Sequence, residues 1–232
     1  MKKFFLSVFS ALFLFSTYAR AEHFKVNLED FETLDIRTSG SIDWKSGPAE
    51  ASLDCSSAIF DEIELEQIGK KLIIRWKNTG RPSWKFGTDK LLIHLHSEYL
   101  KKIDISGSAD VRFLSVNKIP DFSLNILGSG DFSGQLDCSG TVSMIVSGSG
   151  DLSPSGNCKN LQVSISGSGD FKGYGLKSEK AEVKVSGSGD VQLFASEELD
   201  ASMSGSGDIL YAGKPKRVSK KLSGSGEISP VK

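Results

Sequence analysis

The chain has 232 residues, with 28 basic and 29 acidic side chains and a formal net charge of −1. This balance excludes the general electrostatic attraction to nucleic acid that a strongly basic chain would have. The length suits one domain of repeats, alone or with a distinct cap.

The first 21 residues have the pattern of an export signal. Two lysines precede an apolar run from Phe4 to Phe15, and Ala19-Arg20-Ala21 places small residues around a cleavage site. The apolar run is too short to cross a bilayer as a stable helix. We therefore expect residues 1–21 to be a signal peptide that exports the chain through the inner membrane, to the periplasm, the medium or the cell surface.

Residues 22–100 are predicted to form an N-terminal β segment. Phe31 to Ile42 alternates apolar and polar residues and runs into Thr38-Ser39-Gly40-Ser41-Ile42-Asp43, a degenerate copy of a motif that recurs later. Two further runs, 62–67 and 71–77, have the pattern of a strand hairpin, and Leu91 to His96 has that of another strand, with two outward histidines.

Residues 101–232 repeat a variant of Ser-Gly-Ser-Gly-Asp about every 20 residues. The acidic ends of the seven copies are Asp110, Asp131, Asp151, Asp170, Asp190, Asp208 and Glu227. A fixed period in this range is typical of a solenoid, in which each repeat buries its apolar face only against its neighbours.

Apolar residues recur at fixed distances from each acidic end, namely nine, seven and five residues before it and one residue after it. Alternation with period two predicts strands whose apolar side chains fill the interior. Lys101 and Lys220 break the pattern, and they fall in the first and last repeats. The sequence therefore predicts an all-β, right-handed parallel β-helix of about 20 residues per coil, capped by the N-terminal strands and by a basic tail that begins at Lys214.

Cys138 and Cys158 each follow an acidic end by seven residues, so they occupy the same place in consecutive coils. Stacked strands lie about 4.8 Å apart, which falls within the Cα separations of disulfides. An oxidising compartment would allow the bond to form. We expect a Cys138–Cys158 disulfide, the alternative being two free thiols, and we expect Cys55 to be buried.

The order of these elements resembles that of a known bacterial family. An F-x-x-L-x-I-x-x-S-G-S-I-D segment (31–43) is followed by a charged hairpin, a Trp-containing loop, L-L-I-H-L and the repeated S-G-S-G-D. Over residues 30–212 this arrangement resembles the head GIN domain family of putative auto-transporter adhesins. The resemblance implies an exported β-helical domain, and the adhesin function attached to it rests on analogy of fold.

The row of acidic residues has two interpretations. Each Asp can accept a backbone hydrogen bond at its turn, which would offset the repulsion of about 0.8 kcal/mol between unit charges 5 Å apart in water. The alternative is a ladder of Asp110, Asp131, Asp151, Asp170, Asp190 and Asp208 that binds Ca²⁺. The nine-residue period of known calcium-binding repeats is not matched, so we favour the turn and expect no cofactor.

Two surfaces are candidates for binding a polysaccharide or a surface protein. Outward rows of Ser, Ser and Asp would form a regular lattice along the solenoid, although the same residues are also good turn formers. The loop 78–89 carries Arg81, Trp84, Lys85 and Phe86, and an aromatic flanked by cations can stack on a sugar or anchor a partner. The alternative for this loop is a cap over the end of the solenoid.

Catalysis finds little support in the sequence. The histidines, His23, His94 and His96, have no third metal ligand at suitable spacing, and the Gly-Ser-Gly-Asp copies are not nucleophile elbows. We therefore predict a non-enzymatic exported protein, an adhesin or envelope-interaction module that binds through its solenoid surface. The alternatives are a β-helical enzyme acting on polysaccharides and a structural module that stacks end to end.

Overall fold

The computed structural model describes residues 22–77 and 90–231, so the predicted signal peptide lies outside the described residues. The described chain is almost entirely β in class, with 72% of its residues in strands and one short helix, α1 (Ser57–Glu62). The first nine strands are β1 (Glu22–Asn27), β2 (Thr33–Arg37), β3 (Ser39–Ser46), β4 (Glu50–Cys55), β5 (Ile63–Ile68), β6 (Lys71–Trp76), β7 (Leu92–Ser97), β8 (Lys102–Phe113) and β9 (Asn117–Ile119). The others are β10 (Phe122–Gly128), β11 (Phe132–Cys138), β12 (Thr141–Gly148), β13 (Leu152–Gly167), β14 (Phe171–Gly187), β15 (Val191–Gly205), β16 (Ile209–Ala212), β17 (Arg217–Gly224) and β18 (Ile228–Pro230).

The strands wind into a β-solenoid of about six turns, roughly 20 residues apart, which confirms the predicted fold class. One face is a sheet in the spatial order β5-β6-β2-β8-β10-β12-β13-β14-β15-β17. A second face has the order β1-β4-β7-β3-β8-β11-β13-β14-β15-β16-β18. Long strands such as β13 and β14 turn the corner and contribute to both faces.

The N-terminal strands do not stack in chain order. The predicted hairpin is present as β5 and β6, which pair antiparallel. However, β6 pairs with β2 and β7 pairs with β3, each on the side opposite to β8. The degenerate first copy of the motif, carried by β3, therefore lies between β7, which comes later in the chain, and β8. The coil of the first motif copy thus contributes the third strand of the first face, β2, and the fourth strand of the second face, β3.

The predicted inward rows form the core. In the coil that ends at Asp170, Leu161, Val163, Ile165 and Phe171 are each at most 3% exposed, and the same rows are buried in the other central coils. In the final coil the apolar residues keep their places in the rows but are no longer buried. Val218 is 40% exposed and Leu222 is 48% exposed. The tail predicted as a cap thus forms a further coil, β17 and β18, whose outer edge pairs with no other strand of residues 22–77 and 90–231.

Glycine is required where successive coils turn the corner beside the motif. Gly148 has φ +141°, a left-handed backbone that disfavours other residues. A Cβ atom at Gly150 would overlap the carbonyl oxygen of Gly130 in the preceding coil. The two glycines of each motif therefore allow the backbones of neighbouring coils to approach closely.

One carboxylate near the N-terminal end is buried within an ion cluster. Asp35 is 6% exposed and accepts two hydrogen bonds from the Arg37 guanidinium, at 2.9 and 2.8 Å. Lys71 contributes a second ion pair. The bonds from Arg37, with help from Lys71, outweigh desolvation and lower the pKa of Asp35 to about 2. The ionised carboxylate therefore stabilises the rung formed by β2.

Replacing Gly150 with Ala should lower the free energy of unfolding by roughly 2–3 kcal/mol, because the methyl group would force neighbouring coils apart. Gly47→Ala is the matched control, since its Cβ would lie 3.6 Å from its nearest neighbour, His96 Nδ1. Urea unfolding of both variants measures the difference. Equal stability of the two variants would contradict the close approach of the coils.

The lowered pKa of Asp35 predicts a specific loss of stability in acid. The ionised form is favoured in the folded state, so its contribution is present above pH ~4 and is lost as the pH falls towards 2. Between those pH values the wild type should lose about 1–2 kcal/mol more than Asp35→Asn. Urea unfolding at several pH values tests this, with Asp30→Asn, an exposed carboxylate, as the control. Parallel pH profiles for wild type and Asp35→Asn would refute it.

Candidate functional site

The motif copies form one continuous surface at a corner of the solenoid. In the central coils the two serines of each motif are exposed and its second glycine is buried. The Asp side chain of each motif lies at the surface. We call this surface the corner lattice. Its first column is Ser106, Leu127, Ser147, Ser166, Ser186, Ser204 and Ser223, paired in register from coil to coil. Its second column is Ser108, Ser129, Ser149, Ser168, Ser188, Ser206 and Ser225, and its third column contains the seven acidic residues.

The acidic column is a ladder of hydrogen bonds between coils. In each of six steps, the backbone N–H of one acidic residue donates to Oδ1 of the Asp in the preceding coil. The donors are Asp131, Asp151, Asp170, Asp190, Asp208 and Glu227, at 2.8–3.1 Å. The carboxylate replaces a backbone acceptor at the corner, so the turn interpretation of the acidic row has a direct structural basis.

Backbone bonds flank the carboxylate ladder on both sides. The Ser168 N–H donates to the Gly148 carbonyl of the preceding coil at 3.0 Å, and the Leu152 N–H donates to the Asp170 carbonyl at 2.8 Å. Equivalent bonds recur along the corner. The corner lattice is therefore held on a rigid backbone.

The ladder also bears on cation binding. Burial of Asp151 opposes its ionisation, but the Asp170 N–H and the Lys172 ammonium outweigh that effect and lower its pKa. Across residues 22–77 and 90–231, no three His, Cys, Asp or Glu side chains form a group that could hold a metal ion. Calcium binding by Asp110, Asp131, Asp151, Asp170, Asp190 and Asp208 stays a prediction.

A shallow groove of about 380 Å³ runs beside the first three carboxylates of the ladder. Its floor holds an ion pair that the sequence did not predict, in which Arg112 donates two hydrogen bonds to Asp43 at 2.9 and 2.8 Å. Asp43 closes the degenerate motif, yet Ser41 is the residue aligned with Asp110, so Asp43 lies two positions beyond the ladder. The pairing of β3 with β8 brings Asp43 and Arg112 opposite each other.

The histidines are not isolated at the surface. Asp54 bridges two of them, with His23 Nδ1 at 2.7 Å from Oδ1 and His94 Nε2 at 3.1 Å from Oδ2. Hydrogen bonding to His23, with help from His94, lowers the pKa of Asp54 against desolvation. The cluster is built from three strands, since His23 lies in β1, Asp54 in β4 and His94 in β7. Sequence spacing gave no signal for this cluster, because it depends on antiparallel pairing between distant segments.

The predicted disulfide is not formed. Cys138 and Cys158 are both free and buried, and burial raises the pKa of each thiol to about 12. Neighbouring inward side chains on parallel strands run side by side about 4.8 Å apart, whereas a disulfide needs Cβ atoms about 3.8 Å apart. The two cysteines lie side by side in consecutive coils, as predicted. This arrangement favours packing of the two thiols over a disulfide. Cys55 is buried as expected.

The remaining sequence candidates cannot be placed. Arg81, Trp84, Lys85 and Phe86 lie outside the described residues, so their binding role stays a prediction. Among the described residues, no helix is long and apolar enough to cross a membrane.

Comparison with known proteins gives a family and several structural relatives. Residues 30–215 match the sequence model of the family described as "Putative auto-transporter adhesin, head GIN domain". No curated protein matches the chain in sequence. A putative adhesin from Bacteroides fragilis NCTC 9343 has a similar structure, with a TM-score of 0.86 and 21% identity over 92% of this chain and 98% of that one.

Two further solved structures share the fold. A putative lipid binding protein from Parabacteroides distasonis ATCC 8503 has a TM-score of 0.70 and 24% identity, covering 92% of this chain and 97% of its own. A putative adhesin from Parabacteroides merdae ATCC 43184 has a TM-score of 0.70 and 18% identity, with the same coverage. At these identities the likeness concerns the fold alone.

Removing one carboxylate of the ladder should weaken the next coil. Asp190→Ala deletes the acceptor of the Asp208 N–H and should lower the free energy of unfolding by about 1–2 kcal/mol. Asp190→Asn keeps an oxygen acceptor and should lose less than half as much. Glu227→Ala is the matched control, because no backbone N–H of the described residues donates to its side chain, and its stability should be unchanged. Urea unfolding that gives equal losses for Asp190→Ala and Glu227→Ala would contradict the ladder.

Proposed function

The chain belongs to the head GIN domain family, and on that premise we propose that it is a non-enzymatic, exported, adhesin-like module that binds a repetitive polysaccharide along the corner lattice. The observation that supports this most is the register of the lattice, in which the same three positions recur from coil to coil and are all polar except in the coil that ends at Asp131, where Leu127 takes the first. A polymer with a regular repeat can contact equivalent groups on successive coils. Many weak contacts of this kind add up to strong binding.

The chemistry of the lattice suits a hydroxyl-rich ligand. Serine hydroxyls both donate and accept hydrogen bonds, and carboxylates accept them from sugar hydroxyls. Each ladder carboxylate uses Oδ1 for the corner. In the described part of the chain, the second oxygen of Asp190 and Asp208 makes no hydrogen bond or ion pair with protein. These oxygens therefore remain accessible to a ligand.

The rigidity of the corner supports binding as well. Small side chains lose little rotational freedom when they contact a ligand, and a backbone already fixed by bonds between coils needs no further ordering. The lattice would therefore bind without the entropic penalty that a mobile loop incurs.

The electrostatics favour binding over catalysis. Cleavage of a glycosidic bond commonly uses a carboxyl group with a raised pKa as the proton donor. Among residues 22–77 and 90–231, the carboxyl groups whose pKa values are shifted, Glu32, Asp35, Asp54 and Asp151, all shift downward. The regular spacing of the ladder carboxylates also differs from a convergent pair around one bond.

The test is binding to a glycan array and to insoluble polysaccharides, using residues 22–232. Ser149→Lys combined with Ser168→Lys would place two bulky cations in the second column of the corner lattice and should weaken binding at least about tenfold, or about 1.4 kcal/mol. The matched control is Ser139→Lys combined with Asn157→Lys, which adds the same charge at exposed positions outside the lattice. The control should bind as the wild type does.

Two outcomes would contradict the proposal. One is a folded wild type that binds no polysaccharide. The other is a lattice variant that binds as tightly as the control variant. Circular dichroism and thermal melting of each variant establish that the comparison is made between folded proteins.

A further inference from the structure

The ten-stranded face of the solenoid ends in two strands that are paired on one side only. In the described part of the chain, β5 pairs with β6 alone and β17 pairs with β15 alone. Each edge strand therefore presents a row of unpaired backbone N–H and C=O groups. Such edges bind further strands unless a protein covers or blunts them.

The apolar row of β17 lacks the cover that every preceding coil has. Val218 pairs with Leu199, and Leu222 pairs with Met203. The inner residues Leu199 and Met203 are 1% and 3% exposed, whereas Val218 and Leu222 are 40% and 48% exposed. Two large apolar side chains thus stand where one more rung would bury them.

The two edges carry opposite charge. The final coil, residues 214–231, has five basic side chains and one acidic one. The edge strand β5 has two acidic side chains, Glu64 and Glu66, and no basic one. Glu64 and Glu66 share the single guanidinium of Arg75, at 2.9 Å each, so their negative charge is only partly neutralised.

We propose that a second copy of this chain supplies the missing rung, with β17 of one copy pairing antiparallel to β5 of the next. The direction follows from the sheet, because β17 runs parallel to β6 through the intervening strands while β5 runs antiparallel to β6. The register we propose places Leu222 opposite Ile63 and Lys221 opposite Glu64, so that one apolar and one charged pair form side by side. It places Val218 opposite Gln67 and the aliphatic part of Lys220 opposite Leu65.

The inward lysine of the last coil is compatible with this docking. The Lys220 ammonium donates to the Ile228 carbonyl at 2.8 Å and lies 5.0 Å from the centre of the Tyr211 ring. Its ammonium therefore has partners within its own chain. A charge held at this position also disfavours unrelated strands, which lack the matching acidic edge.

The alternative edges are less suited to pairing. Two β17 strands facing each other would bring basic residues together, which is unfavourable. On the second face the outer strand β18 is only three residues long and ends at Pro230, which has no N–H to donate. The assembly is accordingly head to tail, and such a heterologous contact extends into a linear filament unless its rotation closes a ring.

Sedimentation velocity of residues 22–232 over a dilution series tests the proposal. The wild type should show concentration-dependent association. Leu222→Lys should weaken the association at least about tenfold, or about 1.4 kcal/mol, because it places a cation in the apolar contact. Leu114→Lys is the matched control, since Leu114 is a similarly exposed leucine, at 53%, on neither edge strand. It should associate as the wild type does.

A mixing experiment distinguishes head-to-tail pairing from a symmetric dimer. Glu64→Lys blocks the β5 edge and Leu222→Lys blocks the β17 edge, so neither variant should associate alone. Mixed in equal amounts, they should form dimers and nothing larger, because each retains the edge that the other lacks. Combining Glu64→Lys with Lys221→Glu in one chain should restore association by exchanging the charges.

Three results would overturn the proposal. They are a wild type that stays monomeric at every concentration, association that Leu222→Lys leaves unchanged, and a mixture of the two blocked variants that stays monomeric while both melt as folded proteins. Each is independent of polysaccharide binding, since the corner lattice is unchanged in all of these variants.

Discussion

The hydrogen bond from one backbone N–H to the Asp carboxylate of the preceding coil is the interaction on which this solenoid depends. At the corner, the chain turns too sharply for both neighbouring coils to continue an ordinary ladder of backbone bonds. The Asp side chain supplies the acceptor that the backbone does not, and the glycines beside it allow the coils to approach. The same bond fixes the spacing of the serine columns, so the geometry of the corner lattice follows from it.

The ends of the ladder show what the carboxylate does. Within the described residues, Asp is the acceptor in all six ladder bonds, whereas Glu227 takes part only through its own N–H. At the other end, Ser41 takes the aligned position beside Asp110. The short Asp side chain is thus used where its reach matters, and longer or neutral side chains occur at the borders.

Much of the fold could be predicted because its signal is local and repeated. The apolar rows, such as Leu161, Val163 and Ile165, follow from the alternation of apolar and polar residues in the sequence, and all three are buried. The rung order of β6 and β7 could not be predicted, since it depends on pairing between segments far apart in the chain. The Asp43–Arg112 and Asp54–histidine contacts were missed for the same reason. The disulfide was wrongly predicted because coil spacing gives the Cα separation but not the direction of the two side chains.

Amide hydrogen exchange, resolved by NMR, tests the ladder most directly. We expect the N–H groups of Asp151, Asp170 and Asp190 to exchange as slowly as those of the buried strands, although their side chains lie at the surface. In an Asp170→Ala variant, the loss of protection should be largest at Asp190, the amide that has lost its acceptor. Exchange of the wild-type ladder amides at the rate of freely exposed backbone would contradict the account.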